Sequence, residues 1–452
     1  MDFSPTQLLH SLQQAPPSRD YRVALSGGLD SSVLLYALVQ LQQQGCLGKP
    51  LSALHINHGL QAGAVQWQAH CEAICSEWGV PLHCESVTVR SEGSQENAAR
   101  EARYRVFRER TGPDTLLLQA HHLDDQMETF LLRLMRGAGP AGLAAIPRQR
   151  TLGGESSACL FRPLLEVPRS QLLDYALRAG LGWQEDASNR DQRHDRNYLR
   201  HTVLPLIEAR WPGYRSSWSK SLALLSDASS LSQELAVADL ARLETPRGSL
   251  NLSELRQLAE ARQKNLLRYW FASLGLEEPG WDFLLSLQRD LVDKAHSEGA
   301  LAIQDCRLRV FDDELYLLEG KSTPTSLPGE LLAPVDGQSM DLPENGRLQI
   351  SYSGAGGLRQ GLGSLRIRYR SGGEQLKLAD RPRKSLKSLF QEMGIPPWLR
   401  DRVPLLYQQE TLVCVPGIGI AEEALAPAGE PALVVHWESP QLTRRRPDFC
   451  DS

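Results

Sequence analysis

The stretch Ser26-Gly27-Gly28-Leu29-Asp30-Ser31-Ser32 joins an apolar run, Tyr21–Leu25, to a helical pattern. Two adjacent glycines allow a sharp turn and a close backbone approach to a ligand. The N–H groups and dipole of a helix that starts at Ser31 favour an anion. Hydroxyls of Ser26, Ser31 and Ser32 can add hydrogen bonds, and Asp30 can hold Mg²⁺. No lysine stands where a P-loop nucleotide triphosphatase carries one, so the loop holds a phosphate in some other way.

A second constellation lies in Ala120–Gly139, AHHLDDQMETFLLRLMRGAG. Leu123, Met127, Phe130, Leu131 and Leu134 form an apolar stripe at helical spacing. Asp125 and Glu128 are three apart and Asp124 and Glu128 four apart, so the carboxylates gather on one side of the first turns. Like charges there call for a cation, either Mg²⁺ or an ammonium substrate, and three acids beside His121 and His122 exceed what helix capping needs. In Gln95–Phe107, Arg100 and Arg103 share a helix face and can steady nucleotide phosphates or transition-state charge. Glu185–Pro205 crowds Asn, Asp and Arg into a loop before a helix; its composition suits a solvated loop and a site equally.

These residues need a frame. Apolar runs at Tyr21–Leu25, Leu51–Ile56, Leu82–Val89, Thr115–Ala120 and Leu160–Leu165 read as strands. Helical patterns at Ser31–Gln44, Val65–Trp78, Gln95–Arg110, Leu123–Arg136 and Arg169–Ala179 alternate with them. Repeated βα units predict a doubly wound parallel sheet, with ligands beyond the carboxyl ends of its strands, where the Gly-Gly loop falls. After residue 215 the texture turns helical, in Trp218–Leu243 and Glu254–Gly275. Gly320–Gly337 reads as a linker, and a small α+β segment follows it. The expected domains are 1–215, a helical 216–335, and 336–452.

With 452 residues, 41% hydrophobic and 23% charged, the chain is globular in composition and long enough for two to three domains. It has no apolar run near the roughly 18 residues of a membrane helix, and its start reads as a short amphipathic helix, not a signal peptide. A cytoplasmic protein is expected, with no membrane contact. Eight cysteines without any CxxC make neither a disulfide scaffold nor a paired zinc motif, although Cys71 and Cys75 can meet on a helix. The net charge of −5 hides local basic stretches. Arg366–Leu389 carries eight Lys/Arg against two acids, and Arg100–Arg110 five Arg against two Glu. An acidic average with basic stretches suits binding of a polyanion at chosen places, or simply solvated helix faces.

SGGLDSS resembles the signature of the N-type ATP pyrophosphatases, which cut ATP between the α and β phosphates. That resemblance accounts for the missing lysine. Together with HINHGLQ (His55–Gln61), ENAAREARY, HHLDDQMETFLLRLMRGAGPAGL, RPLL (Arg162–Leu165), DASN (Asp186–Asn189), RNYLR (Arg196–Arg200), RYRSGGE and KSLKSLFQEMGIPPWLRDRVPLL, the chain closely resembles the tRNA(Ile)-lysidine synthases. The likeness is weakest from about 216 to 350, and Gln61 and Met127 depart from the usual pattern without touching a proposed charge.

The resemblance implies ligation of L-lysine, with ATP, to the wobble cytidine of a CAU-anticodon isoleucine tRNA through an adenylated cytidine. It implies that Ser26, Gly27, Gly28, Leu29, Asp30, Ser31 and Ser32 bind ATP, with Asp30 acting through Mg²⁺. Asp124, Asp125 and Glu128 would receive the lysine ammonium, Asp125 and Glu128 foremost, and Arg100 and Arg103 would face the nucleotide. Arg196 and Arg200 would form a gate between ATP and tRNA. Arg368, Arg370, Lys384 and Lys387 in the basic C-terminal stretch would grip the tRNA backbone toward the acceptor stem, a contact of shape and phosphates. The oligomeric state stays open, a homodimer included. Three other readings compete: a thiolase-type tRNA modifier, for which Cys75, Cys84 and Cys159 are available; an amide-forming pyrophosphatase; and a tRNA-binding protein with a relict nucleotide site.

Overall fold

Strands and helices that alternate in sequence build one sheet in the first of two compact units, Met1–Leu231 and Ser232–Ser452, of the structure, a computed structural model. It describes residues 2–57, 64–87, 95–153, 158–185, 191–292, 300–319, 330–333, 338–353, 356–427 and 429–439. Residues 58–61 of the His55–Gln61 motif, the DASN motif and most of the expected linker lie outside the described residues.

In the first unit, β1 (Asp20–Ala24), β2 (Leu51–Asn57), β3 (Leu82–Ser86), β4 (Thr115–Leu118), β5 (Gln149–Thr151) and β6 (Cys159–Phe161) form one sheet. Its order is β3-β2-β1-β4-β6-β5, and every neighbouring pair is parallel except β5 with β6. Tyr21 of β1 pairs with Leu51 on one side and Leu116 on the other. The two-residue period of a strand sorts the core between two faces. Val23, Leu116 and Leu118 pack with α1 (Pro5–Leu12), α2 (Leu29–Gln43), α3 (Ala64–Trp78) and a later helix, Arg169–Arg178. Leu54, Leu117 and Leu160 pack with Val106 and Phe107 of α4 (Gln95–Arg110) on the other face. The sheet is thus doubly wound. The edge strand β5 escaped the sequence reading because all three of its residues are polar and exposed.

The unit continues through α5 (Leu123–Met135), α6 (Pro140–Leu143), α7 (Arg169–Arg178) and α8 (Asp195–Tyr198). A π-turn over Leu199–Val203 leads into α9 (Leu204–Arg210), and α10 (Tyr214–Leu243) follows. Leu123, Met127 and Leu131 of α5 are buried against Leu199, Leu204, Tyr214 and Leu222. Leu134, expected in that stripe, is 47% exposed: it lies in the last turn, beyond the reach of the helices that cover the rest.

The second unit begins within α10. Helices α11 (Leu252–Gln257), α12 (Glu260–Ser273) and α13 (Trp281–Leu287) carry the helical character expected there. An antiparallel sheet joins them, β7 (Leu250–Asn251), β8 (Ala300–Ile303), β9 (Cys306–Phe311) and β10 (Glu314–Glu319), in the order β7-β10-β9-β8. Leu308, Leu315 and Leu317 of the sheet bury Trp270 and Phe271 of α12. The β9–β10 hairpin turns through Asp312 and Asp313 at φ 50° and 58°, a conformation usually marked by Asn-Gly or Asp-Gly, so the sequence carried no turn signal. Beyond residue 330 a five-stranded and a four-stranded antiparallel sheet enclose Ile350, Ile367, Phe390, Leu405 and Leu406, with a helix at Leu386–Glu392.

Candidate active site

The loop after β1 is shaped by one glycine more than by two. Gly27 has φ +80°, and a Cβ there would lie 2.7 Å from Trp67 Cδ1 and 2.9 Å from Cys71 Sγ, so both backbone and packing demand glycine. Gly28, the residue before α2, has φ −81°, and a Cβ would meet nothing closer than 3.5 Å. Ser31 Oγ accepts from Ser26 N at 3.2 Å and donates to Gly28 O at 3.2 Å, so it braces the loop. Gln184 N donates to Gly27 O at 3.0 Å and clamps it from outside. Ser26 is exposed at the rim, and the buried Ser32 Oγ has no hydrogen-bond partner among the described residues. Leu29 sends its side chain into the core, leaving only its backbone for a ligand. No side chain caps α2, whose first N–H groups therefore face the loop.

Asp30 stands where this loop meets the acidic helix. Among the described residues its buried Oδ1 has no hydrogen-bond partner, and Arg169 Nε lies 3.8 Å away. Its Oδ2 lies 3.6 Å from His122 Nε2, which is also 3.5 Å from Asp125 Oδ2. His122 caps α5: its Nδ1 accepts from Asp125 N at 3.4 Å while its own N–H donates to Asp125 Oδ2 at 3.0 Å. The ring proton therefore sits on Nε2, between two carboxylates. Burial opposes a charge on His122, but Asp125, Asp30 and Asp124 together outweigh it and raise its pKa. Burial would likewise raise the Asp125 pKa, yet His122, Arg196, His121 and the His122 N–H hold it well below the carboxylate range.

The cation that the acids call for comes from the chain itself. Arg196 Nε donates to Glu128 Oε2 at 2.6 Å and its Nη2 to Asp125 Oδ1 at 2.9 Å. Arg200, one helical turn on, donates from Nε to Glu128 Oε1 at 2.6 Å. Glu128 is 0% exposed, and both of its oxygens are taken. Asp124 does not join this group, despite its spacing. Its Oδ1 accepts from Arg215 Nε at 3.0 Å and its Oδ2 from Arg169 N at 2.8 Å, because it leaves the helix on the side that meets α7 and α10. Arg169 and Arg215 were invisible as site residues, since they reach Asp124 across 45 and 91 residues.

On the α4 face, Arg100 and Arg103 are exposed. The Arg100 guanidinium lies 5.1 Å from the centroid of Tyr104, and Arg150 of β5 lies 5.3 Å from the same ring. Arg162 Nε donates to His121 Nδ1 at 3.2 Å, which fixes His121 as a neutral acceptor. Desolvation, followed by the charges of Arg162, Arg196 and His122, pushes the His121 pKa down to about 4 against the pull of Asp125.

In the second unit the basic stretch is largely spent on ion pairs. Arg368 pairs with Glu410 at 2.7 Å and Glu330 at 2.8 Å, Arg370 with Asp401 at 3.3 Å, and Lys384 with Glu392 at 2.6 Å. No ion pair joins Arg381, Arg383 or Lys387 to a carboxylate among the described residues, and Arg381 and Arg383 are exposed.

A parallel sheet whose first strand enters a lysine-free Ser-Gly-Gly loop above an uncapped helix defines a PP-loop protein that uses ATP, and a family model described as a PP-loop domain matches residues 3–207. Models described as the TilS substrate binding domain and the TilS substrate C-terminal domain match residues 250–316 and 365–437. The chain belongs to the tRNA(Ile)-lysidine synthase family. It is 39% identical to the tRNA(Ile)-lysidine synthase of Pseudomonas fluorescens, over 96% of each chain. It is 41% identical to that of Pseudomonas aeruginosa, over 91% of this chain and 93% of the relative. With that of Escherichia coli O157:H7 it shares 36% identity over 94% of this chain and 98% of the relative. No helix among the described residues is long and apolar enough to cross a membrane.

Proposed function

We propose that this protein joins L-lysine to C2 of the wobble cytidine, position 34, of a CAU-anticodon isoleucine tRNA, consuming ATP and releasing AMP and pyrophosphate. The observation that carries the reading is the unbroken series Asp30, His122, Asp125, Arg196, Glu128, which joins the phosphate loop to a buried acidic pair. One end suits a polyphosphate and the other an ammonium group. In this reading residues 1–215 carry the chemistry, while 216–335 and 336–452 hold the tRNA.

The cytosine C2 oxygen attacks the α-phosphorus of ATP, the α–β bond breaks, and pyrophosphate departs into the loop at Ser26–Ser32. The lysine ε-nitrogen then attacks C2, and the C2–O bond breaks with AMP as the leaving group. Asp30 would hold Mg²⁺. Its Oδ1, buried and without a hydrogen bond among the described residues, fits that ion, which takes one or two carboxylates and completes its shell with substrate phosphates. Once bound, the ion neutralises phosphate charge. Before reaction, Arg196 and Arg200 hold Asp125 and Glu128 in ion pairs. An incoming ε-ammonium competes for the same oxygens and frees a guanidinium for the nucleotide or the tRNA, which is how the two arginines would act as a gate. The alternative of sulfur transfer fits poorly, because burial raises the thiol pKa of each candidate, Cys75 to about 11 and Cys84 and Cys159 in the same direction.

The test is incubation with ATP, labelled lysine and a panel of tRNAs. Label is expected only in the CAU-anticodon isoleucine tRNA, and Asp30→Asn is expected to abolish pyrophosphate release while tRNA still binds. Transfer of label from cysteine and not from lysine would overturn the reading.

A further inference from the structure

Arg162 is 2% exposed, yet its guanidinium meets only uncharged acceptors. These are Pro147 O at 2.6 Å, His121 Nδ1 at 3.2 Å and the Tyr104 hydroxyl at 3.4 Å. Among the described residues no carboxylate pairs with it, nor with Arg100 or Arg150, whose guanidinium groups sit by the Tyr104 ring. Burial and the charges of Arg150 and Arg100 all work against the charge on Arg162. Elsewhere around the site, Arg169, Arg196, Arg200 and Arg215 each face a carboxylate. A buried cation without a counter-charge is unfavourable unless an anion completes the arrangement.

We propose that Arg100, Arg150 and Arg162, gathered around Tyr104, form a binding site for a phosphodiester of the tRNA strand next to the reacting cytidine. The inference rests on the reading above that a tRNA is the substrate. Three features select this anion. First, the cluster lies on the α4 face of the sheet, whereas the loop and α2 serve the opposite face, so the ATP phosphates are received elsewhere. Second, Arg162 follows β6 and His121 follows β4, both at carboxyl ends, and His121 adjoins His122, which faces Asp30. A strand held on the α4 face therefore delivers its base to the point where the two faces meet. Third, a single carboxylate, such as that of lysine, is satisfied by one forked guanidinium, whereas three guanidinium groups around an aromatic ring suit a nucleotide backbone with a base to stack. The site thus divides the two substrates between the two faces of one sheet.

The exposed residues allow a test that leaves the core intact. Binding of the isoleucine tRNA is measured without ATP or lysine across a series of KCl concentrations, for wild type, Arg150→Gln, Arg100→Gln and Arg150→Lys. Each glutamine variant is expected to weaken binding about tenfold, the loss of one charge-assisted hydrogen bond. Each should also flatten the slope of log affinity against log salt by about 0.7 to 0.9, the release of one phosphate contact. Arg150→Lys should keep the wild-type slope. For Arg150→Gln the KM values for ATP and lysine should stay within twofold of wild type. An unchanged salt slope, or a rise in the KM for ATP or lysine in place of weaker tRNA binding, would overturn the site. Wild-type protein that binds this tRNA but transfers no lysine would instead refute the proposed reaction, and the salt comparison would still read the site.

Discussion

The acidic helix and the basic C-terminal stretch make the same promise in sequence and meet different fates. Each shows a run of like charge, and in each the fold brings up opposite charges from distant residues. At α5 the partners arrive in the interior, with Glu128 fully enclosed between Arg196 and Arg200. In the C-terminal segment they meet in water, where the side chain of Glu410 is 83% exposed beside Arg368. The difference teaches that a charge count along the chain is no map of the charge available at the surface. Burial decides whether a pair is a structural commitment or a loose, screened contact.

The largest effect should come from breaking the enclosed pair. Glu128→Gln removes the shared acceptor of two arginines and should lower stability by about 3 kcal/mol, at the low end for buried pairs because both arginines can partly rehydrate. Glu410→Gln should leave the melting temperature unchanged. Chemical denaturation of both variants checks the contrast, and equal losses would end it.

A second measurement sharpens the contrast on the tRNA side. Arg383→Ala and Lys387→Ala, which remove cations without a carboxylate partner among the described residues, should each flatten the salt dependence of tRNA binding by about 0.7 to 0.9. Arg368→Ala should change it by less, since that charge is already matched by Glu330 and Glu410.

The smallest effect is a pH signature confined to the enclosed site. His121 is held to about 4 when folded, below its unfolded value near 6.5. Between those values the unfolded chain binds more protons, so stability falls as pH drops from about 6.5 toward 4. His122 is shifted the other way, so its contribution is complete below about 6.5 and is lost as pH rises through its folded pKa. The contributions of these two residues together are greatest near pH 6.5, and His121→Gln should lessen the acid-side loss in thermal melts between pH 5 and 8. Identical acid limbs in wild type and variant would show that His121 is not held neutral.

Much of the frame was legible because it rests on local periodicity. The predicted helix at Gln95–Arg110 coincides with α4, and the five expected strands are all present. Polar edge strand β5 and the Asp312-Asp313 hairpin were not legible, since one lacks an apolar pattern and the other lacks a glycine. Two glycines were expected to allow a sharp turn and a close approach; within the fold it is Gly27 that a Cβ is barred from, by Trp67 and Cys71 of α3. That constraint depends on a helix 40 residues away and leaves no mark within the loop itself.

By itself, then, the sequence determined the alternation of the main strands and helices of the first unit, the phosphate loop at the end of β1, the acidic start of α5 and the family, all of them matters of neighbouring residues. Tertiary structure alone decided that Asp124 turns toward Arg215, that Asp125 and Glu128 are closed over by Arg196 and Arg200, and that Arg162 meets no carboxylate among the described residues. Charge pairing acts through space over a few ångströms, and only the packed sheet and helices determine which distant residues come that close.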